Sequence, residues 1–283
     1  MAKWYTQYAN VYDYDMSSVD DDIIEKIGSQ IKLFSSSDPV VSIVVIAYNE
    51  EKKLLACLWS LAKQQCHLPM ELIVVNNNST DRTESLLKRL GVTYYNELKQ
   101  GPGFARQCGL DQARGNFMLC VDGDTMYPPN YAETHMKVLD RPGVSATFSL
   151  WSFLPLAGQS RTFFWFYEGL RDIYLNLQYI KRPELCVRGM VFSFKTDFGR
   201  EVGFRTDIKR GEDGSMALGL KHYGKLRFIR SKKARALTGQ NTLGADGSLA
   251  KSFLVRLRKA IRSLSGLFSG KKHYQDEDSN KIQ

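Results

Sequence analysis

The sequence predicts an α/β fold, a mostly parallel sheet with helices packed on its faces. Short apolar runs alternate with amphipathic stretches of helical spacing through residues 40–122. The connections between them are short, and strand–helix alternation of that kind builds parallel sheets. Polar residues also cluster just after the apolar runs, at Tyr48–Asn49–Glu50, Asn76–Asp81 and Asp122–Asp124. In such sheets ligands sit outside the carboxyl ends of the strands, so three clusters converge on one rim.

In chain order, residues 1–38 read as an N-terminal extension with one helix over 19–33, closed by Ser-Ser-Ser-Asp-Pro. Residues 40–48 (VVSIVVIAY) read as a strand and 50–64 as an amphipathic helix. A second strand follows over 70–77, then a helix over 80–90 capped by Thr80 or Asp81. A third strand covers 92–96, and a helix over 102–115 stops at Gly115. Phe117–Val121 is short, oily and bounded by polar residues, which suits a buried strand. Beyond it the pattern loosens: a strand over 144–150, an aromatic helix over 161–177, the run VFSF at 191–194, and a basic amphipathic helix over 249–268.

With 43% hydrophobic and 24% charged residues the chain reads as a soluble globular protein. No stretch approaches the roughly 20 apolar residues that span a bilayer. The opening MAKWYTQYANVYDYD lacks an apolar signal core, so a cytoplasmic protein is expected. Five cysteines without a Cys-x-x-Cys pair argue against a disulfide framework and a thiolate zinc site. Charge is uneven. Residues 1–38 carry three Lys/Arg against seven Asp/Glu, whereas 221–283 carry fifteen against four. The basic end points to an anionic partner: lipid headgroups, a nucleotide or a nucleic acid.

Asp122 and Asp124, separated by Gly123, repel and raise each other's pKa unless a positive species joins them. A carboxylate pair at a strand end suits Mg²⁺ or Mn²⁺ bridging protein and diphosphate, although Asp-Gly-Asp also makes a plain turn. GPGFARQ (101–107) opens a helix whose backbone N–H groups can bind an anion, with Arg106 one turn in; it is equally a simple loop with a solvated arginine. VVNNNSTD (74–81) offers side-chain amides suited to a base and ribose, and is also a good turn and helix cap. In RGEDGSMA (210–217), Glu212 or Asp213 can serve as a general base or merely cap a helix.

In order and spacing these pieces resemble the family 2 glycosyltransferases, which bind nucleotide-diphosphosugars on a GT-A fold. The matching blocks are VSIVVIAYNEEKKLLACLWSL, ELIVVNNNSTDRT, GPGFARQCGLDQARG, LCVDGDT, GMVFSFKTDFGREVGF and GEDGSMALGL, roughly residues 40–230. The resemblance implies a GT-A type, Rossmann-like domain over 39–235, between the 1–38 extension and a basic tail over 236–283. It places Ala47, Tyr48 and Glu50 around the nucleotide, Asn77 and Asp81 near the base and ribose, and Arg106 near the nucleotide. It makes Asp122 and Asp124 the Asp-x-Asp motif that holds a divalent metal (Mn or Mg) on the diphosphate. Asp213 becomes the catalytic base, with Glu212 its neighbour, in an inverting reaction. Many members carry Asp-Asp-Gly or Asp-Asn-Gly where this chain reads Asn76–Asn77–Asn78.

The processive Gln-x-x-Arg-Trp signature is absent, so transfer of a single sugar is expected. The implied partners are a UDP-, GDP- or dTDP-sugar and a saccharide or lipid-linked acceptor, as in bacterial cell-surface polysaccharide or glycolipid synthesis. Over 249–268, Leu249, Phe253, Leu257, Ala260, Leu264 and Phe268 share a helical face beside Arg256, Arg258, Lys259 and Arg262. Such a helix suits peripheral contact with the inner face of the cell membrane, or packing on the domain. Two other readings rank lower. A sugar-nucleotide-forming nucleotidyltransferase wants a Gly-rich basic loop where this chain reads AYNEEKK. A catalytically dead nucleic-acid binder wants aromatic platforms among the basic residues, and 230–262 holds only Phe253.

Overall fold

A computed structural model describes residues 3–15, 18–154, 161–239 and 280. β1 (Val41–Ala47), β2 (Met70–Asn76) and β4 (Phe117–Asp122) are buried almost throughout. That is what strands covered by helices on both faces require, and it explains their unbroken Val/Ile/Leu content. β3 (Thr93–Asn96) is partly exposed, as befits an edge. With β6 (Val144–Ser149), β8 (Phe192–Lys195) and β9 (Lys225–Ile229) they form a seven-stranded sheet in the order β3-β2-β1-β4-β8-β6-β9. β1 to β4 are parallel, β8 is antiparallel to β4 and β6, and β9 is parallel to β6. β5 (Thr125–Met126), β10 (Ala236–Thr238) and β7 (Trp151–Phe153) make a small second sheet, beginning immediately after Asp124.

The helices follow sequence expectation with shifted starts. α3 (Leu54–Leu61) begins four residues later than the periodicity predicts, because Lys53 and Leu54 N–H close a turn on the Glu50 carbonyl. α4 (Thr83–Leu90) begins at Thr83, since the residues before it are cross-linked to the turn after β1; it ends on Gly91, whose φ of 60° suits a residue without Cβ. α5 (Pro102–Gln112) lies on β1 and β2. α7 (Arg161–Lys181) runs four residues past its expected end. α6 (Tyr131–Leu139), β9 and β10 are not foreseen by the sequence reading, whereas α8 (Thr196–Val202) and α9 (Glu212–Leu220) carry the last two matched blocks. The basic helix expected over 249–268 lies outside the described residues.

The N-terminal segment joins the main body. Tyr8 and Val11, in and after α1 (Thr6–Ala9), and Ile24, Ile27 and Ile31 of α2 (Asp21–Phe34) are buried in the same core as the sheet. Each α2 isoleucine so buried contributes about 1.5–3 kcal/mol. Arg82 pairs with Asp15 at 2.9 Å and Arg89 pairs with Asp21, tying this segment to α4 and the turn before it.

Candidate active site

The parallel register brings three strand ends to one rim: Ala47 lies beside Asn76, and Ile46 beside Asp122. The turn after β1 depends on Asn49 at a φ of 54°, a left-handed conformation that asparagine tolerates. Its Oδ1 accepts from Thr80 N–H at 2.8 Å, and its own N–H donates to Ser79 Oγ at 3.0 Å. Asp81 accepts from Glu51 N–H at 3.1 Å and from Thr83 N–H at 2.9 Å. The loops after β1 and β2 therefore hold each other.

Ala47, Tyr48, Glu50, Asn77, Asp122 and Asp124 line one open cleft of about 300 Å³, continued by the start of α5 at Gly101 and Pro102. Six of the ten site residues expected from sequence thus share a wall. Asp81, Arg106, Glu212 and Asp213 stand beside or behind it. Asn77 does not present its amide to the cleft as expected for a base-reading residue. Its Nδ2 donates to the carbonyls of Glu97 (3.2 Å) and Lys99 (2.8 Å), and its Oδ1 accepts from Gly101 N–H at 2.8 Å. An aspartate has no N–H to give those carbonyls, which is a physical reason for asparagine at this position.

Asp122 closes β4 and Asp124 follows two residues on. Asp124 Oδ1 accepts from Thr125 Oγ1 at 3.0 Å, and its backbone carbonyl accepts from the Tyr12 hydroxyl at 2.9 Å. Burial pushes the Asp122 carboxyl up to about 6, with Arg106 opposing and Asp124 and Asp213 reinforcing the rise. Burial and the charges of Asp124, Asp122 and Asp81 push Glu50 up to about 8 against the pull of Lys53. The wall holds more acid than the neighbouring cations neutralise. Hard carboxylate donors in such excess fit a divalent cation at Asp122 and Asp124. Among the described residues a further cluster of metal-ligand type, Cys66, His67 and Glu133, lies at the opposite end of the sheet, where His67 Nδ1 and Glu133 Oε2 are hydrogen-bonded at 2.6 Å.

Arg106 departs from expectation. Only 3% of its side chain is exposed. Its Nη2 donates to Asp122 Oδ1 at 2.7 Å, its Nε lies 2.9 Å from Asp213 Oδ1, and Glu212 Oε1 is 3.7 Å away. The Nε–Asp213 contact is a charge contact without the alignment of a directed hydrogen bond, and Nη1 has no hydrogen-bond partner among the described residues. This arginine braces acids from beneath the cleft. Asp213, in the first turn of α9, also accepts from Gly189 N–H at 2.6 Å. A Cβ at Gly189 would overlap the Arg106 guanidinium, so the close approach requires glycine. Glu212 is buried beside Asp213, and both effects raise its pKa.

Two contributors escaped the sequence reading. Tyr12 lies 112 residues from the carbonyl it meets and carried no motif. Gly189 begins a matched block, but nothing in the sequence shows that a guanidinium lies against it.

Glycosyl transferase family 2 matches residues 42–195, and the chain belongs to that family. Glycosyltransferase GlyA of Streptococcus pneumoniae is 29% identical over 148 residues, covering 50% of this chain and 20% of that relative. The chain spans 30% of the curated relative EpsH of Bacillus subtilis, at 31% identity over 104 residues and 35% of this chain. The mannosyltransferase PcManGT of Pyrobaculum calidifontis, solved with GDP-Man and Mn²⁺, superposes with a TM-score of 0.57 at 17% identity, over 89% of this chain and 88% of that one. Staphylococcus aureus TarS 1–349 in complex with UDP gives 0.54 at 20% identity, over 82% and 75%. These likenesses establish the GT-A fold. Among the described residues no helix is long and apolar enough to cross a membrane.

Proposed function

We propose that the protein is an inverting, metal-dependent transferase that moves one sugar from a nucleotide-diphosphosugar to an acceptor hydroxyl. The domain over 39–235 carries the reaction. The observation that carries the reading is the sharing of one buried guanidinium by Asp122, at the cleft wall, and Asp213, at the head of α9. The donor-side acid and the candidate base are thereby fixed in one frame.

Ala47, Tyr48 and Glu50 form the donor side of the cleft. Tyr48 is 45% exposed, leaving an aromatic face available to a nucleobase. Asp122 and Asp124 would hold Mn²⁺ or Mg²⁺. When bound, the metal neutralises charge on the departing nucleoside diphosphate. The start of α5 at Gly101 and Pro102 lines the same cleft, where the positive end of the helix dipole favours phosphate. Asp213 takes the proton from the acceptor hydroxyl as it attacks the anomeric carbon. The Gly189 N–H and Arg106 hold its carboxylate in place. A base and a leaving group on opposite faces of the sugar give single displacement with inversion.

UDP-, GDP- and dTDP-sugars are the donor classes; the solved neighbours bound to UDP and to GDP-Man support the first two. The acceptor is a saccharide or lipid-linked hydroxyl of bacterial cell-surface polysaccharide or glycolipid synthesis. Thermal-shift screening of these donors with Mn²⁺ identifies the nucleotide, and proton NMR of the product reads the anomeric configuration. Inversion with release of nucleoside diphosphate is expected. Release of pyrophosphate would indicate a nucleotidyltransferase, and a retained configuration would remove Asp213 as base.

A further inference from the structure

α7 is amphipathic the wrong way round for a helix of a water-exposed protein. Its inner face is Phe164, Glu168, Leu175 and Gln178, all under 5% exposed. Glu168 is satisfied there by Ser152 Oγ at 2.9 Å and Phe153 N–H at 2.8 Å. The outer face carries Trp165 (71% exposed), Phe166 (57%), Ile173 (60%), Leu177 (49%) and Ile180 (76%). Trp165, Ile173, Leu177 and Ile180 fall one above another at spacings of eight, four and three, with only Gly169 between the first two. Of the helix's charged residues, Glu168, Arg171 and Asp172 are turned in or against neighbours, the last two at 9% and 19% side-chain exposure. Arg161, at the helix start, also turns toward the body, donating to the Phe153 carbonyl at 2.9 Å, and Lys181 stands at the far end. Five large exposed apolar side chains on one stripe of about 22 Å are far from the scattered single residues of an ordinary surface.

A basic row borders this stripe. Arg230 donates to Asn176 Oδ1, and its guanidinium lies over the Tyr179 ring at 5.3 Å. The segment after β9 is thus fixed alongside the second half of α7, and Arg230, Lys232 and Lys233 are exposed on it. No acidic residue occurs between Lys225 and Gly239.

We propose that the outer face of α7 lies in the interface of an anionic lipid bilayer, with Arg230, Lys232 and Lys233 on the headgroups. The charge pattern selects this occupant. In a two-fold pair of copies packed through α7, the basic row beside it would be drawn into a protein interface, from which lysine is depleted. Anionic headgroups instead complement the row, while Trp165 and the aliphatic stripe enter the acyl boundary. α7 packs on β7, β7 pairs with β10, and β10 pairs with β5, whose first residue, Thr125, directly follows Asp124. A bilayer held at α7 is therefore mechanically coupled to the Asp-x-Asp turn through one small sheet. The surface stands on exposure and charge alone, independent of the chemistry proposed above.

The test uses the whole chain with phosphatidylcholine vesicles with or without phosphatidylglycerol. Cosedimentation should favour the anionic vesicles by about tenfold or more and weaken with salt. W165Q/I173N/I180N should lower partitioning by about tenfold or more with an unchanged thermal midpoint, since these side chains leave water only on binding. K232E/K233E should remove the preference for anionic lipid. Brominated lipid should quench wild-type fluorescence and lose that part of the quenching in W165F. Undiminished binding by the triple variant would overturn the proposal. So would vesicle-insensitive protein, whether it sediments as a monomer or as a dimer that the triple variant dissociates.

Discussion

Arg106 and Asp122 stand 2.7 Å apart, Nη2 to Oδ1, with the arginine 3% exposed and Asp213 against its other edge at 2.9 Å. One buried cation therefore couples the acid of the cleft wall to the acid at the head of α9. Removing it in Arg106→Ala leaves buried carboxylates without their counter-charge, a loss of about 3–5 kcal/mol in urea unfolding. Arg106→Lys keeps the charge but cannot present two edges at once. It should fold and lose about 10- to 100-fold in kcat, as removal of an orienting partner does. A lysine variant with wild-type kcat would separate Arg106 from the reaction.

Asp124 is the more dispensable of the two rim acids for folding, since among the described residues its side chain leans on Thr125 and Thr238 alone. Asp124→Asn should preserve the thermal midpoint of the metal-free protein and abolish the upward shift given by Mn²⁺. Transfer should fall about 10²- to 10³-fold, the scale of losing one electrostatic contact to the developing charge. Because Asp122 titrates at about 6, Mn²⁺ binding to the wild type should also weaken as pH falls through that value. Calorimetric titration of Mn²⁺ across that range checks both; unchanged affinity in Asp124→Asn would move the metal elsewhere.

Glu50 carries a stability consequence of its own. Its carboxyl is raised from 4.5 to about 8, so between those values the folded protein holds a proton that the unfolded chain has released. Its contribution to stability is present below pH 4.5 and is lost as pH rises through 8. Glu50→Gln should therefore stabilise the metal-free protein by about 1–3 kcal/mol above pH 8 and leave it nearly unchanged near pH 4.5, one pKa unit being worth about 1.4 kcal/mol. A cation in the cleft should pull that proton off, so Mn²⁺ binding at neutral pH should release acid into weakly buffered solution. Equal effects of Glu50→Gln at both ends of the range would show that Glu50 is ionised throughout.

What the sequence disclosed follows from range in the chain. β1, β2 and β4 are buried on both faces and, with the edge strand β3, are joined by single helices, so local periodicity suffices to place them and their carboxyl ends. Ala47, Tyr48, Glu50, Asp122 and Asp124 come with them. The later half mixes directions, with β8 inserted antiparallel between β4 and β6; β6 is legible over 144–150, whereas the three- to five-residue β7, β9 and β10 hold too little periodicity to read. Contacts between distant segments were likewise hidden. Arg106 was read from its helix-start position as a phosphate ligand, yet it faces α9, more than a hundred residues on. Asn77 was read for its amide, and the two carbonyls that occupy that amide belong to the loop after β3.

Tyr12 shows what such hidden contacts do. Its ring is buried, and its hydroxyl donates to the Asp124 carbonyl at 2.9 Å, on the turn that orients both rim acids. Burial, together with the charges of Asp124 and Glu50, pushes its pKa well above the usual phenol value, so it remains a donor at every working pH. Tyr12→Phe keeps the packing and deletes that one bond, at a cost of about 0.5–1.5 kcal/mol to folding. If the hydroxyl orients the turn, apparent Mn²⁺ affinity should drop several-fold beyond what the stability change explains, about 1 kcal/mol being worth a factor of five. Donor affinity without metal should stay constant. A variant that loses stability yet binds Mn²⁺ as the wild type does would reduce Tyr12 to a core residue, and the N-terminal segment to a brace for α3 and α4.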